Sequence, residues 1–407
     1  MDHILRNYEI AKEIYGEYGV DCDEAIRIAR ETPLSVHCWQ IDDLTGFENF
    51  DAVLSGGIAA TGNAAGKPKS KKEYFQNLDE ALRYIPGELK LALHAVYLDC
   101  DTQVARNALE PCHFAKWVDY AKEKKIGLDF NPTYFSHEKA AEGFTLSSAD
   151  ESIRGYWIEH GKRCREIGAY FGKELGKRCV TNHWIPDGYK DTTADKLSPR
   201  LRLKDSLDQM FQKKLDNAYH VDSVEGKLFG LGSESYVVGS HDFYSNYVQE
   251  RNNCILCMDA GHYHPTESIG QKISAYLAFD RELMLHISRP VRWDSDHVVT
   301  FDEATKEIMG EVVRCNGLKK VNIGLDFFDA SINRIAATVI GARNCRKALL
   351  YALTEPNERI IAAEAEGNLT KRLALQEEAK TLPFGFVWDM LCEQENVAAS
   401  DWLNGLA

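Results

Sequence analysis

Two aspartates stand two residues apart in the stretch RPVRWDSDHVV, Arg289 to Val299, directly after the apolar run LMLHIS. Side chains at i and i+2 of an extended segment point to the same side, so Asp294 and Asp296 are expected to converge. Two carboxylates held close repel unless a cation, a shared proton or bulk water relieves them. A surface loop would meet that need with water. Other residues shift the balance toward a cation. Glu225, Asp259, His262, His286 and Asp326 each fall late in an apolar, strand-like run. Hard divalent cations take oxygen ligands with some imidazole, and Mn²⁺ or Mg²⁺ suits a set this rich in carboxylates. Glu225, Asp259, His286 and Asp326 can supply one site. Asp259 can also bridge to a second, with His262, Asp294 and Asp296. Singly, each has an ordinary reading: His286 as a hydrogen-bonded core histidine, Asp326 as a helix cap. The joint pattern carries the weight.

Elements that could position these residues recur along the chain. Eight β-rich runs are expected at 34–40, 89–97, 127–133, 179–186, 220–229, 253–262, 283–292 and 320–330. Amphipathic helical stretches such as EYFQNLDEALRYI, LRLKDSLDQMFQKKL and ATKEIMGEVV separate most of them. Strands alternating with helices imply parallel pairing through right-handed crossovers. Eight such units make a (β/α)8 TIM barrel, an α/β fold whose active site lies at the C-terminal strand ends. The polar residues named above lie at that end. A doubly wound sheet is the rival, but no strand leads into a G-x-G-x-x-G turn. Additional helices precede and follow the barrel, and we expect a catalytic domain over 1–345 with a helical extension over 346–407.

Composition excludes several partner classes. The chain has 407 residues and a formal charge of −14, which repels nucleic acid phosphates and anionic membranes. No run approaches the length of a membrane span, and the N-terminal stretch reads as an amphipathic helix rather than a signal peptide. Eleven scattered cysteines, an odd count, point to reduced thiols and a cytoplasmic location. The only C-x-x-C, Cys254 to Cys257, lies in a strand-like run, where residues three apart face opposite sides. The segment 55–74 superficially resembles a phosphate loop. Thr61 and Pro68 occupy positions where that motif needs glycine and a hydroxyl, so a mobile loop over the barrel mouth is the better reading.

Lys227 follows Glu225 by two residues and would share its strand face. Beside carboxylates it stays charged, and it could hydrogen-bond an oxygen that turns negative during reaction. Two metals can grip O1 and O2 of an open-chain sugar while hydrogen moves between C1 and C2.

The motifs SVHCWQ, FNPTYFSH, DAGHYHPTE, SRPVRWDSDHVV and GLDFFDASINRIAA together resemble the bacterial L-rhamnose isomerase family, a xylose-isomerase-like group. The resemblance runs from about Leu34 to the C-terminal SDWL. It implies a (β/α)8 barrel with extra helices, a homotetramer, and aldose–ketose interconversion of L-rhamnose and L-rhamnulose. It implies two Mn²⁺ ions per subunit, with Zn²⁺, Co²⁺ or Mg²⁺ as alternatives. By that likeness Glu225, Asp259, His286 and Asp326 hold a structural metal, while His262, Asp294 and Asp296 hold the catalytic one with Asp259 shared. Lys227 is implied at the O1 side and His94 near the ring oxygen, with Asp326 counted among the catalytic groups. Trp39, Trp184 and Phe130 are candidate sugar-facing walls. His37 and His264 are candidates to support the ligands, and Arg289 and Arg292 to neutralise the surrounding acid. A barrel metallohydrolase, a non-catalytic sugar-binding barrel, and an isomerase preferring another aldose are the alternatives.

Overall fold

The computed structural model describes residues 2–48, 54–100 and 102–405. Eight parallel strands close into a barrel: β1 (Leu34–His37), β2 (Leu89–His94), β3 (Gly127–Asn131), β4 (Cys179–Trp184), β5 (His220–Glu225), β6 (Ile255–Asp259), β7 (Leu283–Ile287) and β8 (Val321–Leu325). Each expected run contains one of them, but every strand ends earlier than its run of β-rich residues. After β1 and β2 the chain turns at once into single 3₁₀ turns, Cys38–Ile41 and Ala95–Tyr97. Buried aromatic and branched residues read alike in a strand and in a packed turn, so composition overshoots the strand end.

Alternation sorts each strand. One set of side chains packs beneath the surrounding helices in the main core, with Leu91, Phe130, Leu256 and Leu285 among them. The other set fills the barrel. Its lower layer is apolar on the side of β4 to β7, with Val180, Val221, Cys257 and Met284 in one small cluster, while on β2 and β3 buried Lys90 pairs with Asp129. Above it the inward residues turn polar: Asn182, Ser223 and Glu225, then Asp259 and His286 side by side in the β6–β7 register. Cys254 packs in the outer core and Cys257 inside the barrel, so the two thiols diverge as their spacing implies. All eleven cysteines are free.

The terminal helices form a joint unit. The helices α1 (Asp2–Glu17), α2 (Cys22–Glu31) and Phe384–Gln394 share a second core in which Tyr15, Ile26, Leu350, Trp388 and Leu391 are buried together. The division expected at residue 345 falls inside one continuous helix, Arg334–Thr354. That helix belongs to both layers. Its Arg346 reaches the carbonyls of Thr32 and Glu88, and its Arg343 that of Tyr84, so the appendage is stapled to the barrel wall.

The segment after β1 is pinned over the barrel mouth. The amide of Ala330 donates to Thr61 and that of Ala64 to Ala330, and buried Arg334 clasps Asp43 through two 2.8 Å bonds while donating to Ala64. Residues 61–64 thus take the covering position expected for the 55–74 loop, but they are held by hydrogen bonds rather than mobile, and from Lys71 onward the chain is helical.

One close contact ties helix packing to the site. A Cβ at Gly341 would lie 2.2 Å from the Phe327 ring, which packs edge-on against His37 at 4.3 Å. Alanine at 341 gains about 1 kcal/mol of helix propensity but over-packs a full core, at about 1–3 kcal/mol. Gly341→Ala should therefore lower stability in a urea melt, and a gain in stability would refute the packing argument.

Candidate functional site

The ends of β5 to β8 bring four side chains from four strands to one place. Ligand atoms of Glu225, Asp259, His286 and Asp326 all lie within 4.8 Å of one another. A second group, Asp259, His262 and Asp294, meets the same limit and shares Asp259 with the first. His286 Nδ1 is 3.1 Å from Glu225 Oε2, 3.3 Å from Asp326 Oδ2 and 3.9 Å from Asp259 Oδ2. Yet this nitrogen makes no hydrogen bond, and neither does Glu225 Oε1, 3.0 Å from His262 Nδ1. Buried polar atoms that approach so closely without bonding geometry point at a common centre rather than at each other.

The free valences are directed by neighbours. Asn182 donates to Glu225 Oε2 at 2.5 Å, and Ser223 in turn donates to the Asn182 carbonyl oxygen, which fixes the amide. The amide of Gly261 and the hydroxyl of Ser288 both donate to Asp259 Oδ1. Trp39 Nε1 donates to Asp326 Oδ1 at 3.0 Å. His262 Nδ1 faces the Gly226 carbonyl at 3.2 Å, leaving Nε2 toward Asp294 Oδ2 at 3.4 Å. Orienting bonds of this kind are what tune a ligand's direction and basicity. Glycine at 261 is required by space, since a Cβ there would sit 2.5 Å from Asp294 Oδ1.

Electrostatics press the same way. Five carboxylates, Glu225, Asp259, Asp294, Asp296 and Asp326, share the site with the ammonium of Lys227, which pairs with Asp294 Oδ2 at 2.7 Å and also feels the charges of Asp296 and Asp259. Burial first, and then the charges of Glu225, Asp326 and Asp294 against the opposing His262, push Asp259 up to about 7. Burial and Asp294 hold Asp296 well above the usual carboxylate range. Burial opposes the charged form of His262, but Asp259 and Asp294 outweigh it and raise the ring to about 10. The site thus draws positive charge onto its own side chains. The donor set, the unpartnered buried atoms and the cradle at Gly261 all fit divalent cations.

A cavity of about 310 Å³ opens above these groups. Trp39, His94, Trp184, Lys227 and Asp296 line it. Lys227 Nζ lies 4.8 Å over the Trp184 ring, and His94 hydrogen-bonds Thr133 Oγ1 at 3.1 Å. Burial, only partly offset by the charge of Asp326, lowers His94 to about 3, so its ring is neutral.

Several expectations need correction. Phe130 does not reach the cavity. It faces the helices, packed on Phe114 and Phe171, because strand parity turns its neighbour Asn131 inward instead. Asp294 and Asp296 approach each other without an extended backbone: Arg292 and Asp296 have φ of 72° and 47°, and the Arg289–His297 bridge closes the loop. Asp296 lines the cavity but joins neither ligand group. Lys227 lies past the end of β5 rather than on its face. Among the described residues Arg289 and Arg292 form no ion pair; Arg289 donates to the Val298 carbonyl, and Lys227 relieves the acid instead. His264 is exposed and bonds Thr266, whereas His37 Nε2 contacts the Phe327 carbonyl and steadies the chain beside Asp326. Residues not anticipated are Asn131, Asn182, Ser223 and Phe328. The inward parity of positions 131, 182 and 223 was available from the strand pattern, but an amide or hydroxyl carries no cluster signal of its own.

The family model described as L-rhamnose isomerase matches residues 2–407. The L-rhamnose isomerase of Escherichia fergusonii is 53% identical over 400 residues, covering 98% of this chain and 95% of its own. Those of Salmonella typhimurium (strain LT2) and Escherichia coli O157:H7 show the same identity and coverage. Identity at this level, across nearly the full length of both partners, means that the chain belongs to the L-rhamnose isomerase family.

Proposed function

We propose that the chain interconverts L-rhamnose and L-rhamnulose, an aldose–ketose isomerisation with two divalent cations, Mn²⁺ foremost. The observation that carries the reading is the pair of ligand groups sharing Asp259, with unbonded His286 Nδ1 and Glu225 Oε1 at their centre. Glu225, Asp259, His286 and Asp326 hold one cation; His262 and Asp294, with Asp259 and a reoriented Asp296, hold the other. When bound, the cations supply polarisation of O1 and O2 of the open-chain sugar.

The chain's own residues do the rest. Lys227 stays charged, because Asp294 and Asp296 more than offset the burial that opposes it. Its ammonium can donate to O1 as negative charge grows there. Neutral His94, anchored by Thr133, can accept or return a proton at the ring oxygen as the sugar opens. Trp39 and Trp184 close the sides of the cavity against water. In this reading the enzyme is a cytoplasmic homotetramer. Exposed apolar side chains such as Leu197, Leu201, Leu369 and Leu373 offer surface for subunit contacts.

Chelator-stripped protein should form no ketose from L-rhamnose and should recover with Mn²⁺, with L-mannose, D-xylose and D-allose turned over more slowly. Full activity without metal would overturn the reading. Lys227→Met should abolish turnover, losing at least about a hundredfold in kcat for one donor to a developing oxyanion, while Mn²⁺ still binds. Glu225→Gln should instead weaken Mn²⁺ binding and remove the metal-dependent rise in melting temperature. Wild-type metal stabilisation in that variant would reject Glu225 as a ligand.

A further inference from the structure

The oxygen-rich group has a softer neighbour one layer deeper in the barrel. We propose that Glu225, Cys257 and His286 form a thiolate site for soft divalent cations such as Cd²⁺, mutually exclusive with the oxygen-rich site. The inference rests on the proposed function in one respect: Glu225 and His286 are ligands in both.

Ligand atoms of these three residues lie within 4.8 Å of one another, and all three residues are buried. Register places them. Cys257 of β6 stands opposite Glu225 of β5 and Met284 of β7, one inward position below the Asp259–His286 pair. The cysteine is not alone in pointing to a ligand. His286, 2% exposed, has its Nδ1 unbonded, and Glu225, also 2% exposed, has its Oε1 unbonded. Both side chains can therefore complete either group without breaking a hydrogen bond made by those atoms.

Chemistry separates the two choices. The upper group offers three carboxylates and one imidazole, a hard set that suits Mn²⁺ or Mg²⁺. The lower group offers a sulfur, an imidazole and one carboxylate, which suits a thiophilic ion. Binding forms a metal–sulfur bond and releases the Cys257 proton to solvent, with no change of oxidation state. A soft cation seated there takes two of the four ligands from the upper group. The expected consequence is displacement of Mn²⁺ by Cd²⁺ through Cys257.

The test uses full-length, chelator-stripped protein, Cd²⁺ as the probe, and the variants C257A and C257S. Wild-type protein should show a thiolate-to-Cd²⁺ charge-transfer band in the ultraviolet that saturating Mn²⁺ suppresses and both variants lose. Exposed Cys112 could also bind Cd²⁺, but Mn²⁺ would not suppress that band. Release of bound Mn²⁺, followed by its paramagnetic resonance signal, should need at least about tenfold more Cd²⁺ in the variants. That is the cost typical of losing even an outer-shell partner. An Mn²⁺-suppressible band that persists in both variants, or Mn²⁺ release that ignores the substitution, would overturn the thiolate site. A Cys257-dependent band in protein that fails to bind Mn²⁺ would uphold the thiolate site and overturn the oxygen-rich one.

Discussion

Five carboxylates gathered at the mouth of a barrel, with the Lys227 ammonium against one of them, form the constraint on which the rest of the site depends. Buried charge of one sign is costly unless cations or protons balance it. Among the described residues, the fixed cation paired with these acids is Lys227, at Asp294. Two histidines are raised and two aspartates are driven toward their neutral forms by the imbalance. Divalent cations answer the same imbalance without protons. The orienting bonds from Asn182, Ser288, Trp39 and the Gly261 amide then decide which lone pairs face inward.

The scaffold makes that charge density tolerable. Strand alternation stacks an apolar floor of Val180, Val221, Cys257 and Met284 under the polar layer, so the acids rest on a packed base. The Arg334–Asp43 clasp and the Thr61–Ala330 ladder hold a cover over the mouth. Helix Arg334–Thr354 couples these parts: its first residue anchors the cover, Gly341 seats Phe327 beside Asp326, and Arg343 and Arg346 staple the terminal helices to the wall. A change in that helix is therefore felt at the site, although the helix supplies no ligand.

Legibility differed between fold and site for a physical reason. Strand runs and helix periodicity are local, so the eight units and their order could be read from composition alone. The ligand types could be read as well, because Asp, Glu and His late in apolar runs are unusual in any core. Their partners were harder. Asn182 and Ser223 matter through bonds to Glu225 from another strand, and neither residue type announces that role. Arg289 and Arg292 sit beside the acids in sequence, yet Lys227, more than sixty residues away, is the cation that meets Asp294.

What the sequence by itself determined was the alternation of strand and helix, the supply of cation-compatible side chains, and the motifs that mark the family. Tertiary structure decided which side chains meet. Barrel register set Glu225 beside Cys257 and Asp259 beside His286, parity sent Phe130 outward and Asn131 inward, and two left-handed residues turned Asp294 and Asp296 toward the cavity. Such outcomes depend on shear and closure of the whole sheet, which no local stretch of residues encodes.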